Sequence, residues 1–379
     1  MSKVDELIKQ LCPGGVEHKR IKDVFKRIKG TPITAGKMKE IQSENGDIRV
    51  FAGGRTVVNA KEIDIPNANI TRVPAVLVQS RGIIDVVYFE KPFTFKNEMW
   101  AYSHKEKATV KYLYYYLKNN IKFFRDSASG MGSLPQISLP TTEDFQIPIP
   151  PLGIQEEIVN ILDKFTTLEA ELEAELEARK KQYTFYRDYL LSFEGKDVEW
   201  KTLREVCNVY TGGEAPENSI KGENATDKYK YPIYGNGIEV YGFTDTYRID
   251  KDAVTISSIG ANTGAIYYRD AYFTPIIRLK VVIPKNEDLI SRYLFYFLSS
   301  ITINSKKSSV PNMNADDVKK IKIPIPTLAE QQRIVIILDK FDALANDISI
   351  GLPAEIEARK KEYEYYRNQL LTFNFLSNE

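Results

Sequence analysis

The chain repeats itself. IPIPPLGIQEEIVNILDKF, opening at Ile147, returns as IPIPTLAEQQRIVIILDKF from Ile323, and EARKKQYTFYRDYLLSF, closing at Phe193, returns as EARKKEYEYYRNQLLTF, closing at Phe373. The offset is 176 residues at the front and 180 at the back, so one copy holds four more residues between its matching ends. Weaker echoes precede both copies. VEHKRIKDV from Val16 matches VEWKTLREV from Val198, KYLYYYL from Lys111 matches RYLFYFL from Arg292, and LPQI at Leu134 sits where VPNM sits at Val310. Solenoid repeats run at about 20–50 residues, so a period this long is the duplication of a whole module. The order is domain, helix, domain, helix: 1–150 (with a short helix at 3–11), 151–194, 195–326 and 327–376.

The repeated segments read as long helices. Ile154, Ile158, Ile161, Phe165, Leu168 and Leu172 recur at steps of four and three. Leu176, Arg179, Tyr183, Tyr186, Leu190 and Phe193 continue the series after one four-residue stutter. That is a coiled-coil seam. The second copy carries it through Ile334, Ile337, Phe341, Leu344 and Ile348, then meets Gly351 and Pro353. These break or bend a helix near 351–353, with Pro353 tolerated in the first turn of a new one. Each seam is one-sided and needs a partner. The economical arrangement packs the two copies antiparallel, Ile158, Ile161, Phe165, Leu168, Leu172 and Leu176 facing Ile334, Ile337, Phe341, Leu344 and Ile348. The other arrangement lays each helix on its own domain. At an offset of 182, Leu7, Ile8 and Leu11 align with Tyr189, Leu190 and Phe193, so the opening helix imitates the end of a long one. This predicts a circular arrangement with termini close together and a pseudo-two-fold axis.

Each larger segment holds short apolar runs broken by Gly, Pro and Asn, then one aromatic-rich helix, Val110–Asn120 or Asp288–Ser299. IRVFAGGRTVV and AVLVQSRGIIDVVYFE in the first, and YPIYGNGIEVYGFTD and AVTISSIGANTGAIYYRD in the second, read as strand–turn–strand. The predicted fold class is mixed α+β: two similar globular α/β domains, their sheets mainly antiparallel, separated by two long antiparallel coiled-coil helices.

Composition narrows the function. With 43% hydrophobic and 27% charged residues the chain is globular. No apolar run reaches the roughly 18–20 residues that span a bilayer, and the charged Met1–Leu11 lacks a signal core, so a cytoplasmic location is expected. Two cysteines and two histidines make neither a disulfide framework nor a zinc site. No Walker loop, no GxGxxG after a strand and no Asn/Asp-Pro-Pro-aromatic motif occurs. Ser80, Ser257 and Ser258 lie at strand ends with no His placed beside them, and no acidic cluster nominates a metal. Net charge is +1, yet residues 1–146 carry +7 and 147–193 carry −4, so the larger segments can still hold a polyanion through local patches. Most tyrosines lie at helical spacing, as core residues do. The Gly/Asn/Ser-rich loops suit either turn chemistry or contacts with phosphates and base edges.

The paired IPIP…LDKF…EARKKQYxYYRxxLL segments resemble the two helical regions of type I restriction–modification specificity subunits, and YPIYGNG, ISSIGANTGAIYY and the TGG at Thr211 resemble that family's target-recognition domains. The resemblance covers essentially the whole chain. In the first domain FAGGRTVV and QSRGIIDVV replace the YGNG and SIGANTGAI patterns. The resemblance implies a non-catalytic subunit that chooses the DNA sequence, each recognition domain reading one half of a split double-stranded target. It implies helices that act as a spacer and dock two methyltransferase subunits, with restriction subunits joining through the complex. It implies no cofactor on this chain, with S-adenosylmethionine, ATP and Mg on the partner subunits.

From residue chemistry, DNA contact is expected at Lys29, Thr31, Arg55, Ser80, Arg81 and Lys96 in the first domain. In the second it is expected at Tyr234, Asn236, Ser258, Asn262, Arg278, Lys306, Lys307 and Asn312. Arg and Asn make bidentate base contacts and Lys neutralises phosphates. Because the two domains differ, the target should be asymmetric. The first helix, read as Leu152 to Phe193, is about 63 Å long at ~1.5 Å per residue, against about 34–36 Å per turn of DNA. LEAELEAELEARKK repeats a tetrad worth about 6 Å of helix, so deleting Leu172–Glu175 should shorten the unread spacer by about one or two base pairs. A scaffold with two globular heads that binds proteins, or an enzyme with a concealed site, are the competing readings.

Overall fold

The computed structural model describes residues 3–54, 56–130, 134–301, 313–347 and 349–375. Arg55, Lys306, Lys307, Asn312 and Ile348, all singled out above, lie outside them. The chain divides into two compact units, Met1–Leu172 with Ile356–Glu379, and Glu173–Glu355.

The first unit is built on a four-stranded antiparallel sheet in the order Lys26–Lys29, Trp100–Ser103, Ala75–Gln79, Asp85–Phe89. Ala75–Gln79 is buried along its whole length, as an inner strand covered on both faces must be. A second sheet orders Val57–Ala60, Ile48–Phe51 and Phe93–Phe95, the last two parallel. The helix Lys107–Asn119 covers the larger sheet with Val110, Leu113 and Leu117. All four strand–turn–strand readings hold. The second unit repeats the plan, with one sheet in the order Cys207–Thr211, Lys280–Pro284, Ala253–Ile256, Ile266–Arg269. Its other sheet orders Ser219–Lys221, Val240–Thr244, Tyr231–Tyr234, Thr274–Pro275, again with one parallel pair at the end. The helix Ser291–Ser300 takes the covering place. The weak VExK echo is a shared device: His18–Arg20 pairs with Gln146–Pro148, and Glu199–Thr202 with Lys322–Ile325, so each IPIP entry is tied antiparallel to the start of its own domain.

The long helix runs without interruption from Leu152 to Leu191. The second copy is two helices, Leu328–Asn346 and Leu352–Leu370. Thr327 caps the first of these by accepting from the Glu330 amide at 3.4 Å. The break spans 347–351, just ahead of the 351–353 expected from Gly351 and Pro353. The Asp347 carboxylate accepts from the Ser349 amide at 2.7 Å, and Pro353 falls in the first turn of the next helix, where its missing N–H costs nothing.

The helices pack in both of the ways the sequence left open. In the first unit Phe165 meets Tyr366 and Tyr363 at 5.6 and 5.9 Å, and Lys360 pairs with Glu169 at 3.3 Å. Rising numbers on one helix meet falling numbers on the other, so the pair is antiparallel. The same stretch of the long helix, through Ile154, Ile158 and Leu162, also buries against Tyr112 and Tyr115 of its domain. In the second unit Tyr186 stacks on Phe341 at 5.2 Å, while Ile334, Val335 and Leu338 join the domain core. Two-sided burial widens the seam. Val159, Leu162, Val335 and Leu338 are buried although the strict seam omits them, whereas Leu344 is 38% exposed and the neighbouring Ala345 is buried. Leu344 is therefore less buried than its seam position predicts, and Ala345 takes the inward place. Ile161 and Ile337 are half-buried against the apolar clusters, Leu168 and Leu176 are half-buried, and Leu172 is buried. At the start of the chain Leu7 and Ile8 pack with Leu370, Leu371 and Phe373, and His18 stacks on Phe375 at 3.9 Å.

Candidate nucleic-acid interface

In each unit the parallel pair brings the ends of two strands together with a glycine-rich loop. In the second unit, Thr274–Pro275 lies beside Tyr231–Tyr234. The chain then passes through Ile277 and Arg278, both with positive φ, at +52° and +60°. Gly212 approaches this turn so closely that a Cβ there would stand 2.8 Å from the Ile276 amide nitrogen. The Gly212 and Gly213 carbonyls accept from the Arg278 and Ile277 amides at 3.0 and 2.8 Å. Asn236 Nδ2 donates to the Ile277 carbonyl at 2.6 Å, and Ser258 Oγ donates to the Arg278 carbonyl at 2.6 Å. Asn236 Oδ1 accepts from the Ser258 amide at 2.7 Å. A cavity of about 800 Å³ opens in the first unit beside Gly53, Gly54, Arg81, Lys96 and Glu98. One of about 580 Å³ opens in the second beside Gly212, Gly213, Tyr241 and Arg278.

These bonds correct part of the contact set expected from sequence. Ser258 is 2% exposed, and Ser80 and Thr31 are wholly buried. Ser80 donates to the Glu98 carbonyl, as Ser258 does to that of Arg278, and Thr31 Oγ1 bonds Thr94 Oγ1 at 2.6 Å and accepts from the Asn69 amide at 2.9 Å. Hydroxyls at strand ends are short enough to satisfy neighbouring backbone, and here they do. The hydroxyls of these three residues are buried and bonded within the chain, so they hold the loops in shape. Asn236 is half-buried with its amide engaged at both ends, so it positions the turn. Lys96 is half-buried and paired with Glu98 at 2.9 Å. Tyr234 is half-buried, its ring 3.8 Å from the Arg269 guanidinium. Lys29, Arg81, Asn262 and Arg278 are exposed. Arg81 and Arg278 line the two cavities.

Arg269 was not visible as a functional residue in the sequence. It is buried, sandwiched between Tyr234 and Tyr267, and donates to the Gly237 and Ile238 carbonyls at 2.9 Å each. Burial lowers its pKa, and the two rings oppose that shift. Burial likewise lowers the pKa of Lys280, with Arg278 nearby adding to the effect. Among the described residues no three or more His, Cys, Asp or Glu come together as a metal site, and no helix is long and apolar enough to cross a membrane.

Comparison with known proteins completes the picture. Residues 13–178 and 195–358 each match the type I restriction modification DNA specificity domain. The specificity subunit of the type I restriction enzyme EcoR124I/EcoR124II from Escherichia coli is 40% identical over 295 residues, 70% of this chain and 72% of that protein. The crystal structure of the type I restriction–modification S subunit from M. genitalium superposes with a TM-score of 0.67 at 20% identity, covering 94% of this chain and 96% of that one. A chain from a solved type I restriction–modification assembly gives 0.52 at 16% identity, covering 94% and 97%.

Proposed function

Because the chain belongs to the type I restriction–modification DNA specificity family, we propose that each of its two sheet-rich units reads one half of an asymmetric bipartite duplex. The observation that carries this reading is a shared frame with unlike contents. Ser80 and Ser258 hold equivalent carbonyls, yet the residue whose carbonyl is held is Glu98 in one unit and Arg278 in the other. Frames of one shape place the two readers alike on DNA, and different side chains in them select different bases.

The chain is the DNA specificity subunit and contributes no chemistry of its own. Methyl transfer and cleavage belong to two methyltransferase subunits and to restriction subunits, which carry S-adenosylmethionine, ATP and Mg, and the complex works in the cytoplasm, where its DNA is. The long helix sets the unread spacer, because an uninterrupted helix shortens without breaking when a tetrad is removed. Deleting Leu172–Glu175 shortens that helix by about 6 Å. The test is sequencing of methylated sites in cells that carry this chain with its methyltransferase. Two fixed half-sites whose separation falls by one or two base pairs in the deletion strain support the reading. Methylation without a bipartite pattern refutes the two-reader assignment, an unchanged spacer refutes the ruler, and absence of specific DNA binding with any partner returns the chain to a scaffold.

A further inference from the structure

Ile277 and Arg278 adopt a left-handed backbone that side chains other than glycine resist. Such conformations persist only where the surroundings over-determine them, and they gather at sites of function. Here the surroundings are four hydrogen bonds, one to each amide and each carbonyl of the two residues, drawn from Gly212, Gly213, Asn236 and Ser258. The clamp is itself braced: Ser257 Oγ donates to the Asn236 carbonyl at 2.7 Å. All backbone polar groups of the turn are thereby engaged by the protein, and what it offers outward is side chain. Ile277 is 51% exposed and Arg278 is exposed at the cavity mouth. Among the described residues the Arg278 guanidinium has no hydrogen-bond or ion-pair partner. Lys280, buried behind it, has its ammonium 3.3 Å from the Thr211 hydroxyl, so the site carries two neighbouring cations.

The first unit uses the frame differently. Glu98, whose carbonyl Ser80 holds, pairs its carboxylate with Lys96 at 2.9 Å. That unit shows no positive-φ residue at this turn among the described residues. At this turn, among the described residues, only the second unit has positive-φ residues, and Arg278 there stands where the first unit carries Glu98, paired with Lys96.

A phosphate contact needs charge, and a flexible side chain on solvated backbone supplies it. Fixing the backbone beneath one guanidinium has value where its direction matters, as in a bidentate contact to a base edge. We propose that Arg278 is the specificity-determining residue of the second unit and reads a guanine through O6 and N7 in the major groove. This rests on the reading of that unit as a DNA reader.

The test uses the full chain in complex with its methyltransferase, a duplex library randomised in both half-sites, and binding measured at several salt concentrations. Arg278→Gly removes the side chain while fitting the left-handed backbone, so loss of folding does not confound it. The expected result is lost guanine preference at one position of one half-site, by roughly 10–100-fold, with the other half-site unchanged. Arg278→Gln should move that preference toward adenine. A uniform loss of affinity across all sequences, with the salt slope falling by about one, makes Arg278 a phosphate contact and overturns the assignment. So does an unaltered motif. A wild-type complex that shows no sequence preference overturns the DNA-reading role itself, and this assignment with it.

Discussion

The Tyr115 hydroxyl donates to the Asp163 carboxylate at 2.5 Å. Lys111, one turn earlier on the same helix, reaches that carboxylate at 2.7 Å. The second unit repeats the arrangement with Tyr296 and Arg292 on Asp339, at 2.5 and 2.8 Å. The aspartates belong to the duplicated LDKF. A tyrosine buried under a helix pair needs an acceptor for its hydroxyl, and a carboxylate near two cationic or phenolic donors needs no water. The clamp fixes each domain helix to the repeat helix of its own unit.

Asp163→Asn and Asp339→Asn should therefore each destabilise the unit that carries the clamp. Hydrogen bonds to charged groups contribute about 1.5–3 kcal/mol. The partial exposure of both carboxylates puts the expected loss toward the lower end, about 1–2 kcal/mol. Hydrogen exchange localises the effect. Protection should fall in 107–119 for the first variant and in 291–300 for the second, and unchanged protection in both would remove the clamp from the account of stability.

The same phenols give the fold an alkaline limit. Burial, and then the bonded carboxylate, hold the Tyr115 and Tyr296 hydroxyls well above the ordinary phenol range. Above about pH 10 the unfolded chain gives up these protons and the folded chain keeps them. The contribution to stability is thus whole below that pH and is lost as pH rises further. Phenolate absorbance followed with near-ultraviolet circular dichroism should show exposed tyrosines titrating first and the buried set ionising only as tertiary structure disappears. A single smooth titration of all 23 tyrosines with intact dichroism contradicts this.

The duplication made most of the fold legible, because a pattern that occurs twice is read with less ambiguity than one that occurs once. The strand pairs and the helix break followed from local chemistry: Gly and Asn turns, and Gly351 with Pro353. The site was less legible, for a physical reason. Ser80, Ser258, Thr31 and Asn236 have the same hydrogen-bonding groups whether they face a base or a carbonyl of their own chain. Only the fold decides, and it turned all four inward. Arg269 was hidden because a buried arginine looks like any other until its two carbonyl partners and two rings are in place. Asp163 and Asp339 carried a readable signal, since Asp, Tyr and a cation recur together in both copies.

Glycines separate steric need from mere tolerance. A Cβ on Gly30 would stand 2.4 Å from the Phe95 carbonyl oxygen, and one on Gly212 2.8 Å from Ile276 backbone. The obstacles are backbone in neighbouring strands, which cannot step aside. Gly30→Ala and Gly212→Ala should each destabilise by about 2 kcal/mol or more. Gly153, in the first turn of the long helix, has nothing within 4 Å of its virtual Cβ, and Gly153→Ala should stabilise by about 0.5 kcal/mol through helix propensity. Urea midpoints settle all three, and equal effects at the three positions would contradict the argument.

Arg269 and Phe89 occupy the same strand position in the two units, opposite Ala253 and Ala75, and solve the same packing problem differently. Phe89 meets Phe51 edge to face at 5.3 Å. Arg269 covers Tyr234 and adds what a phenyl ring cannot, two bonds to the Gly237 and Ile238 carbonyls. Packing and loop anchoring are therefore separable. Arg269→Phe restores the ring contact of the first unit, so the global stability of the second unit should stay within about 1 kcal/mol of wild type. It also releases both carbonyls, so amides at 235–240 should lose exchange protection and the second half-site should be read with lower fidelity. Arg269→Lys keeps the charge but loses the planar fork, and should lose stability and fidelity together. If Arg269→Phe reads DNA as well as wild type, the loop holds its shape without the arginine, and the anchoring role fails while the packing role stands.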